Sequence, residues 1–129
     1  MMPPHGPYHL LADELADARE HAVALALRLE ERGLGTYVHY AWNVVREVAV
    51  GAHIVHDAGG RDGAWVFVWP RLGSSGRDLH WHHPRWLKTG PCYQLSWPLA
   101  DIDAMTDSLQ DMLHRRQTPG RPPAKATPC

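Results

Sequence analysis

The segment from His80 to Trp86 holds the side chains of this sequence that are best suited to chemistry. It carries three histidines and two tryptophans in seven residues. If the segment is a short strand, His80 and His82 lie on one face, and two imidazoles at that spacing could bind a divalent metal ion. Imidazole also titrates near neutral pH and can act in acid/base chemistry. The alternative is a surface strand whose Trp81 and Trp86 cover the sheet while its histidines contact water.

A metal site or a catalytic centre needs further groups, and the sequence offers few. Metal sites in proteins use three or four convergent ligands, and the candidates for a third are His53, His56 and Asp57. No HExxH pattern or pair of closely spaced cysteines is present. Cys92 follows a proline on a predicted strand and is expected to be a buried, inert residue. We therefore assign no catalytic residue, no metal ligand and no cofactor.

Composition and motifs exclude several classes of function. The patterns GxSxG, GxGxxG and GxxxxGK[ST] are absent, which disfavours serine hydrolysis and nucleotide cofactors. The 129 residues have a net charge of −1, whereas nucleic acids and anionic membranes select clearly basic surfaces. Arg71, Arg77, Arg85 and Lys88 are spread over 18 residues, too sparsely for a nucleic-acid patch. We expect neither a nucleic-acid nor a membrane partner.

Two helical patterns enclose the middle of the sequence. Apolar residues recur every three or four positions from Leu11 to Leu29, and Gly33 can close this helix in a left-handed conformation. A second apolar stripe runs from Leu99 to Leu113, with acidic residues early and basic residues late, which suits the helix dipole.

The sequence between these helices predicts strands. Residues 36–55 are rich in β-branched and aromatic side chains but too long for one strand, so we divide them near residues 43–47; a helical turn there is the alternative. Residues 57–63 are a strong turn signal that should close a hairpin. Residues 64–69 and 92–97 are further strands. Residues 70–91 remain as a long connection, of a length that often marks function.

The order of elements predicts an α+β fold. We expect an antiparallel sheet of about four to five strands, with an N-terminal and a C-terminal helix packed on one face. Residues 8–116 would form the single domain, and the proline-rich residues 1–7 and 117–129 would be disordered. Without a signal-peptide pattern or a disulfide framework, the expected location is the cytoplasm. The excess of Arg over Lys is typical of a GC-rich bacterial genome.

Strand alternation divides the side chains between two faces of the sheet. We expect the bulky Trp65, Phe67 and Trp69 to lie under the helices, which leaves Val66 and Val68 on the open face. That face would then be partly polar, like the lining of a ligand pocket, because it also gathers His39, Asn43, Cys92, Gln94 and Ser96. The alternatives are a solvated face or the interface of a homodimer.

The sequence therefore predicts a small non-catalytic binding or adaptor protein, homodimeric, that holds a peptide, a protein or a small ligand. The open face and the histidine-rich loop would bind it. The alternative is a small histidine-dependent enzyme, with or without a metal, whose pocket lies between the sheet and the loop. The residues expected to contact the ligand or partner are His39, Asn43, His53, Val66, Val68, His80, Trp81, His82, Trp86 and Gln94.

Overall fold

A computed structural model describes residues 9–55, 63–73, 76–83, 85–87, 90–92 and 96–116. The predictions of disorder at residues 1–7 and 117–129 therefore fall outside the described residues, as does most of the turn at 57–63. The elements of the described residues are α1 (Leu15–Glu31), β1 (Leu34–Trp42), β2 (Arg46–Ile54), β3 (Ala64–Gly73), β4 (Gly76–His82), β5 (Arg85–Leu87), β6 (Gly90–Cys92), β7 (Ser96–Pro98) and α2 (Ile102–Arg116).

Helix α1 forms where the apolar stripe predicts it and ends abruptly. Gly33 has φ of 81°, and its N–H donates to the carbonyl of Glu30 at 2.9 Å, which closes the last turn. At the other end the helix begins at Leu15, after a turn in which the carboxylate of Glu14 accepts the N–H of Leu11 at 2.8 Å. Because β1 begins at Leu34, directly after the closing turn, α1 and β1 run side by side in opposite directions.

The main sheet has five strands in the order β1-β2-β3-β4-β7, and every neighbouring pair is antiparallel. β1 pairs with β2 from Leu34 opposite Ile54 to Trp42 opposite Arg46. The predicted division of residues 36–55 into two strands is therefore correct, and the alternative of a helical turn is not observed. A separate two-stranded sheet joins β5 and β6. The predicted α+β fold, with a helix at each end of an antiparallel sheet, is confirmed.

One face of the sheet packs against both helices and forms the core. Val66 and Val68 of β3 are fully buried there, so their predicted placement on the open face is wrong. The helix brings only alanine side chains to part of this interface, at Ala18 and Ala22, and therefore approaches the sheet closely. β3 turns its valines toward this core, so strand alternation places Trp65 and its neighbours on the opposite side.

The long connection predicted for residues 70–91 is wrong, because most of it is strand. β3 continues to Gly73 and pairs with β4, with Pro70 opposite Leu79. The predicted single strand at residues 92–97 is also wrong. Gly90–Cys92 pairs with β5, and Ser96–Pro98 pairs with β4 at the edge of the main sheet.

Candidate functional site

The face of the sheet opposite to the helices carries a cluster of aromatic and histidine side chains. Trp65, Phe67 and Trp69 alternate along β3 with the buried valines and therefore point to this side. The strand register places tyrosine and histidine side chains of the neighbouring strands beside them. We call this set the aromatic face; its members are Tyr37, His39, His53, Trp65, Phe67, Trp69, His80 and His82.

The most exposed part of the aromatic face is a pair of rings that meet across β2. Tyr37 is opposite Gly51, and Gly51 is opposite Trp65. The two rings meet edge to face, with centroids 5.7 Å apart and planes inclined by 68°. A Cβ atom on Gly51 would lie 2.9 Å from the indole of Trp65, so the ring lies flat over the backbone of β2. Tyr37 is 61% exposed and Trp65 is 38% exposed, so both rings present surface to a ligand.

Two histidines place polar groups beside these rings. His53 lies over Gly35 in the same way, since a Cβ atom on Gly35 would overlap its imidazole. His39 Nε2 is 3.4 Å from Oε1 of Glu47, and both side chains are partly exposed. An imidazole beside a carboxylate can donate a hydrogen bond to a ligand or accept one from it. The exposed rings are therefore flanked by hydrogen-bonding groups.

The β4 side of the aromatic face is less exposed. The imidazole of His82 is fully buried and packs on Trp69, with ring centroids 4.7 Å apart. His80 Nδ1 is buried and has no hydrogen-bond partner in the described part of the chain. A buried nitrogen without a partner costs about 1–3 kcal/mol. A ligand group that reached His80 would recover part of this free energy.

The structure brings four of the predicted site residues onto the aromatic face: His39, His53, His80 and His82. The expectation that His80 and His82 share one face of a strand is correct. Asn43 lies instead in the exposed turn between β1 and β2. Gln94 and the side chain of Trp86 lie outside the described residues.

Three predicted site residues lie in the core and not on a surface. Val66, Val68 and Trp81 are fully buried on the helix side of the sheet. Trp81 also donates from Nε1 to the carbonyl of Leu99 at 3.0 Å, which satisfies its only polar group. Their placement on an open surface is therefore wrong.

The aromatic residues of the aromatic face were not among the predicted site residues. Tyr37, Trp65, Phe67 and Trp69 were all expected elsewhere or given no role. One available signal was glycine, because Gly35 and Gly51 sit at strand positions where a side chain would collide with a neighbouring ring. A glycine within a strand often marks such a close approach.

The histidines of the aromatic face are distributed along it and do not converge. Within the described ranges, no three His, Cys, Asp or Glu side chains are placed to hold one metal ion. His53 follows Ala52, which pairs with Ala64 at the beginning of β3, whereas His82 pairs with Phe67 further along. His56 and Asp57, the other candidate ligands, lie outside the described residues. The observed arrangement is suited to stacking and hydrogen bonding.

Comparisons with protein-family models, curated proteins and solved structures find no match to this chain. In the part of the chain that the structure describes, neither helix is long and apolar enough to cross a membrane. The aromatic face is therefore the main guide to the function of this chain.

Proposed function

We propose that this chain is a small, non-catalytic, cytoplasmic binding protein whose ligand lies on the aromatic face. The observation that carries the proposal is the exposed pair of Tyr37 and Trp65, in edge contact on a side of the sheet that neither helix covers. Contiguous exposed apolar surface on a folded protein commonly marks a site of interaction.

The chemistry of the face favours an aromatic or apolar group presented by a peptide. Such a group would stack on the rings of Tyr37 and Trp65, where aromatic pairs gain about 0.5–1.5 kcal/mol beyond the burial of area. His39 and His53 lie beside the rings and would bond to polar backbone groups of the peptide. A protein segment or a small aromatic molecule with a hydrogen-bonding group would satisfy the same requirements.

The proposal also includes a homodimer, with an interface different from the one that the sequence indicated. Val66 and Val68 are fully buried in the core of the monomer and cannot form it. A charged residue at either position would disrupt folding itself. The dimer interface must therefore lie elsewhere on the chain.

The binding proposal is tested with peptides selected from a displayed random library against the full chain. Tyr37→Ala should weaken binding of the selected peptides at least about tenfold, because it removes one of the two exposed rings. Trp42→Ala is the matched control, since Trp42 is on the same strand, is 66% exposed and lies on the other side of the sheet. Equal effects of the two substitutions would contradict binding on the aromatic face.

A histidine-dependent enzyme is the second candidate, favoured by the unpaired Nδ1 of His80 and by the shared face of His80 and His82. It predicts a stoichiometric metal in protein purified without a histidine tag, or an activity that His80→Ala abolishes. Absence of the metal, together with unchanged behaviour of the variant, would remove the support for this candidate.

A further inference from the structure

The two edges of the five-stranded sheet differ in how they are protected. β7 is short, with three residues, and contains Pro98. β1 has nine residues, LGTYVHYAW, with no charged residue and no proline. Proteins usually protect exposed edges with charge, proline or short length, because free N–H and C=O groups pair with any available strand. Within the part of the chain that the structure describes, no strand pairs with the outer edge of β1, and β1 itself has none of these protections.

We propose that a second copy of this chain covers β1, by antiparallel pairing of the two β1 strands around a two-fold axis. Directly opposed residues of an antiparallel pair point to the same side of the sheet. The two-fold axis must therefore lie midway between the two copies of one residue, which then pairs with itself. An axis at Val38 pairs the whole strand, with Leu34 opposite Trp42 of the second copy. This inference does not depend on the ligand of the aromatic face.

Charges on α1 select this register. Thr36 donates from Oγ1 to the carboxylate of Glu30 at 2.7 Å, which fixes Glu30 beside one part of β1. The guanidinium of Arg19 lies over the ring of Tyr40, 5.0 Å from its centroid, which fixes Arg19 beside another part. With the axis at Val38, Thr36 is opposite Tyr40 of the second copy. Glu30 of each copy then faces Arg19 of the other.

Shifted registers lose this complementarity. An axis at Thr36 would bring the two Glu30 carboxylates together, and an axis at Tyr40 would bring the two Arg19 guanidinium groups together. Like charges across an interface are unfavourable and suppress wrong arrangements. Of these three registers, only the one with the axis at Val38 places Arg19 of each copy beside Glu30 of the other. The same register also pairs all of β1.

The same flank of α1 provides the apolar contact. Val23 and Leu27 lie between Arg19 and Glu30 along the helix and are 44% and 55% exposed. The two-fold axis brings Val23 of one copy to Leu27 of the other. The other flank of α1 already packs on α2, where Arg28 lies 3.3 Å from the carboxylate of Asp103. Among the described residues nothing packs on the flank along β1, which is the one that we assign to the second copy.

Dimerisation would join the two sheets into one and extend the aromatic face. Tyr37 would lie opposite His39 of the second copy on the side away from the helices. The exposed rings of both copies would then border one continuous surface. A ligand longer than one subunit's face could contact both copies.

The oligomeric state of the full chain tests the proposal by sedimentation equilibrium. We expect a mass of about twice the 14.5 kDa of the chain. Leu27→Glu should give a monomer, because it places a carboxylate in the apolar contact without touching the core. Ala24→Glu is the matched control, exposed on the same helix but away from this flank, and should stay dimeric. A wild-type chain that stays monomeric at about 100 μM would overturn the proposal.

A charge exchange tests the register. Arg19→Glu and Glu30→Arg should each raise the dissociation constant of the dimer about tenfold, since each creates two like-charge contacts. The double variant restores opposite charges across the axis and should return to within about threefold of the wild type. Each single change also removes a contact within its own subunit, and the double variant lacks both of these contacts. If the dissociation constant nevertheless recovers in the double variant, the recovery must come from a pair between the subunits. A double variant weaker than both single variants would refute this register.

Discussion

Substitution of Gly51 by alanine would test whether Trp65 is held flat over β2. The new Cβ atom would lie 2.9 Å from Cε2 and Cζ2 of the indole, whereas ordinary contacts of such atoms are 3.4–4 Å. The ring must therefore lift away from the sheet. Since Trp65 is 38% exposed, it can move toward solvent, at the expense of its edge contact with Tyr37.

Two opposing effects determine the change in stability. Alanine restricts the unfolded chain more than glycine does, which stabilises a protein by about 0.4–1 kcal/mol where the backbone conformation permits it. Gly51 does not have a positive φ, so its backbone accepts alanine. Overpacking costs about 1–3 kcal/mol, and the movable ring of Trp65 places this site near the lower end. We expect a net loss of about 1 kcal/mol.

A double-mutant cycle measured by urea unfolding isolates the contact between the ring and Gly51. In a Trp65→Ala background the collision is gone, so Gly51→Ala should stabilise the protein by about 0.4–1 kcal/mol. The free energy of unfolding should thus change in opposite directions in the two backgrounds. Changes that agree within about 0.5 kcal/mol would show that the ring of Trp65 is not held against Gly51, because independent sites are additive at that level.

Three further predictions concern the scaffold. Val68→Ala should lower the free energy of unfolding by about 1.5–3 kcal/mol in urea, and a loss below about 0.5 kcal/mol would contradict its place in the core. Trp81→Phe leaves the buried carbonyl of Leu99 without its donor and should cost about 1–3 kcal/mol, measured by thermal unfolding; an unchanged stability would argue against that bond. Burial acts to raise the pKa of Glu14, but hydrogen bonds from Arg77 and from the Leu11 N–H, with the charge of Arg77, hold that pKa below its ordinary value. The stability from this ion pair is therefore complete above the ordinary pKa of glutamate and is lost as pH falls through the lowered pKa of the folded state. The difference in unfolding free energy between wild type and Glu14→Gln should shrink on acidification from about pH 7 to about pH 3, and a constant difference would contradict this account.

The local patterns of the sequence were sufficient to predict most of the scaffold. The apolar stripe before Gly33 predicted α1, and the aromatic and β-branched content of residues 36–55 predicted β1 and β2. The side-by-side placement of His80 and His82 followed from strand alternation alone. Each of these features depends on residues only a few positions apart in the chain. The sequence alone is therefore enough to predict them.

The choice of face for β3 could not be made in this way. Alternation separates Val66 and Val68 from the aromatic residues but does not say which set meets the helices. That choice depends on which side of β3 the helices cover, and this is a contact between residues far apart in the sequence. Side-chain size alone favoured the wrong set.

The pairing of β3 with β4 was missed for a related reason. Pro70 lies inside β3 opposite Leu79, at a position where proline normally argues against a strand. β4 begins at Gly76, which has a φ of 116°. The pairing depends on contacts between the two strands, and the propensities of single residues do not indicate such contacts.

Binding of a ligand on the aromatic face can be followed by the indole N–H signals in a ¹⁵N-labelled NMR titration with a selected peptide. Trp65 lies on the aromatic face, and Trp81 is buried on the helix side with its N–H bonded to Leu99. Binding on the aromatic face should shift the signal of Trp65 progressively and leave that of Trp81 in place. A signal of Trp65 that does not move while the bound peptide shifts that of Trp42, on the opposite side of the sheet, would contradict it.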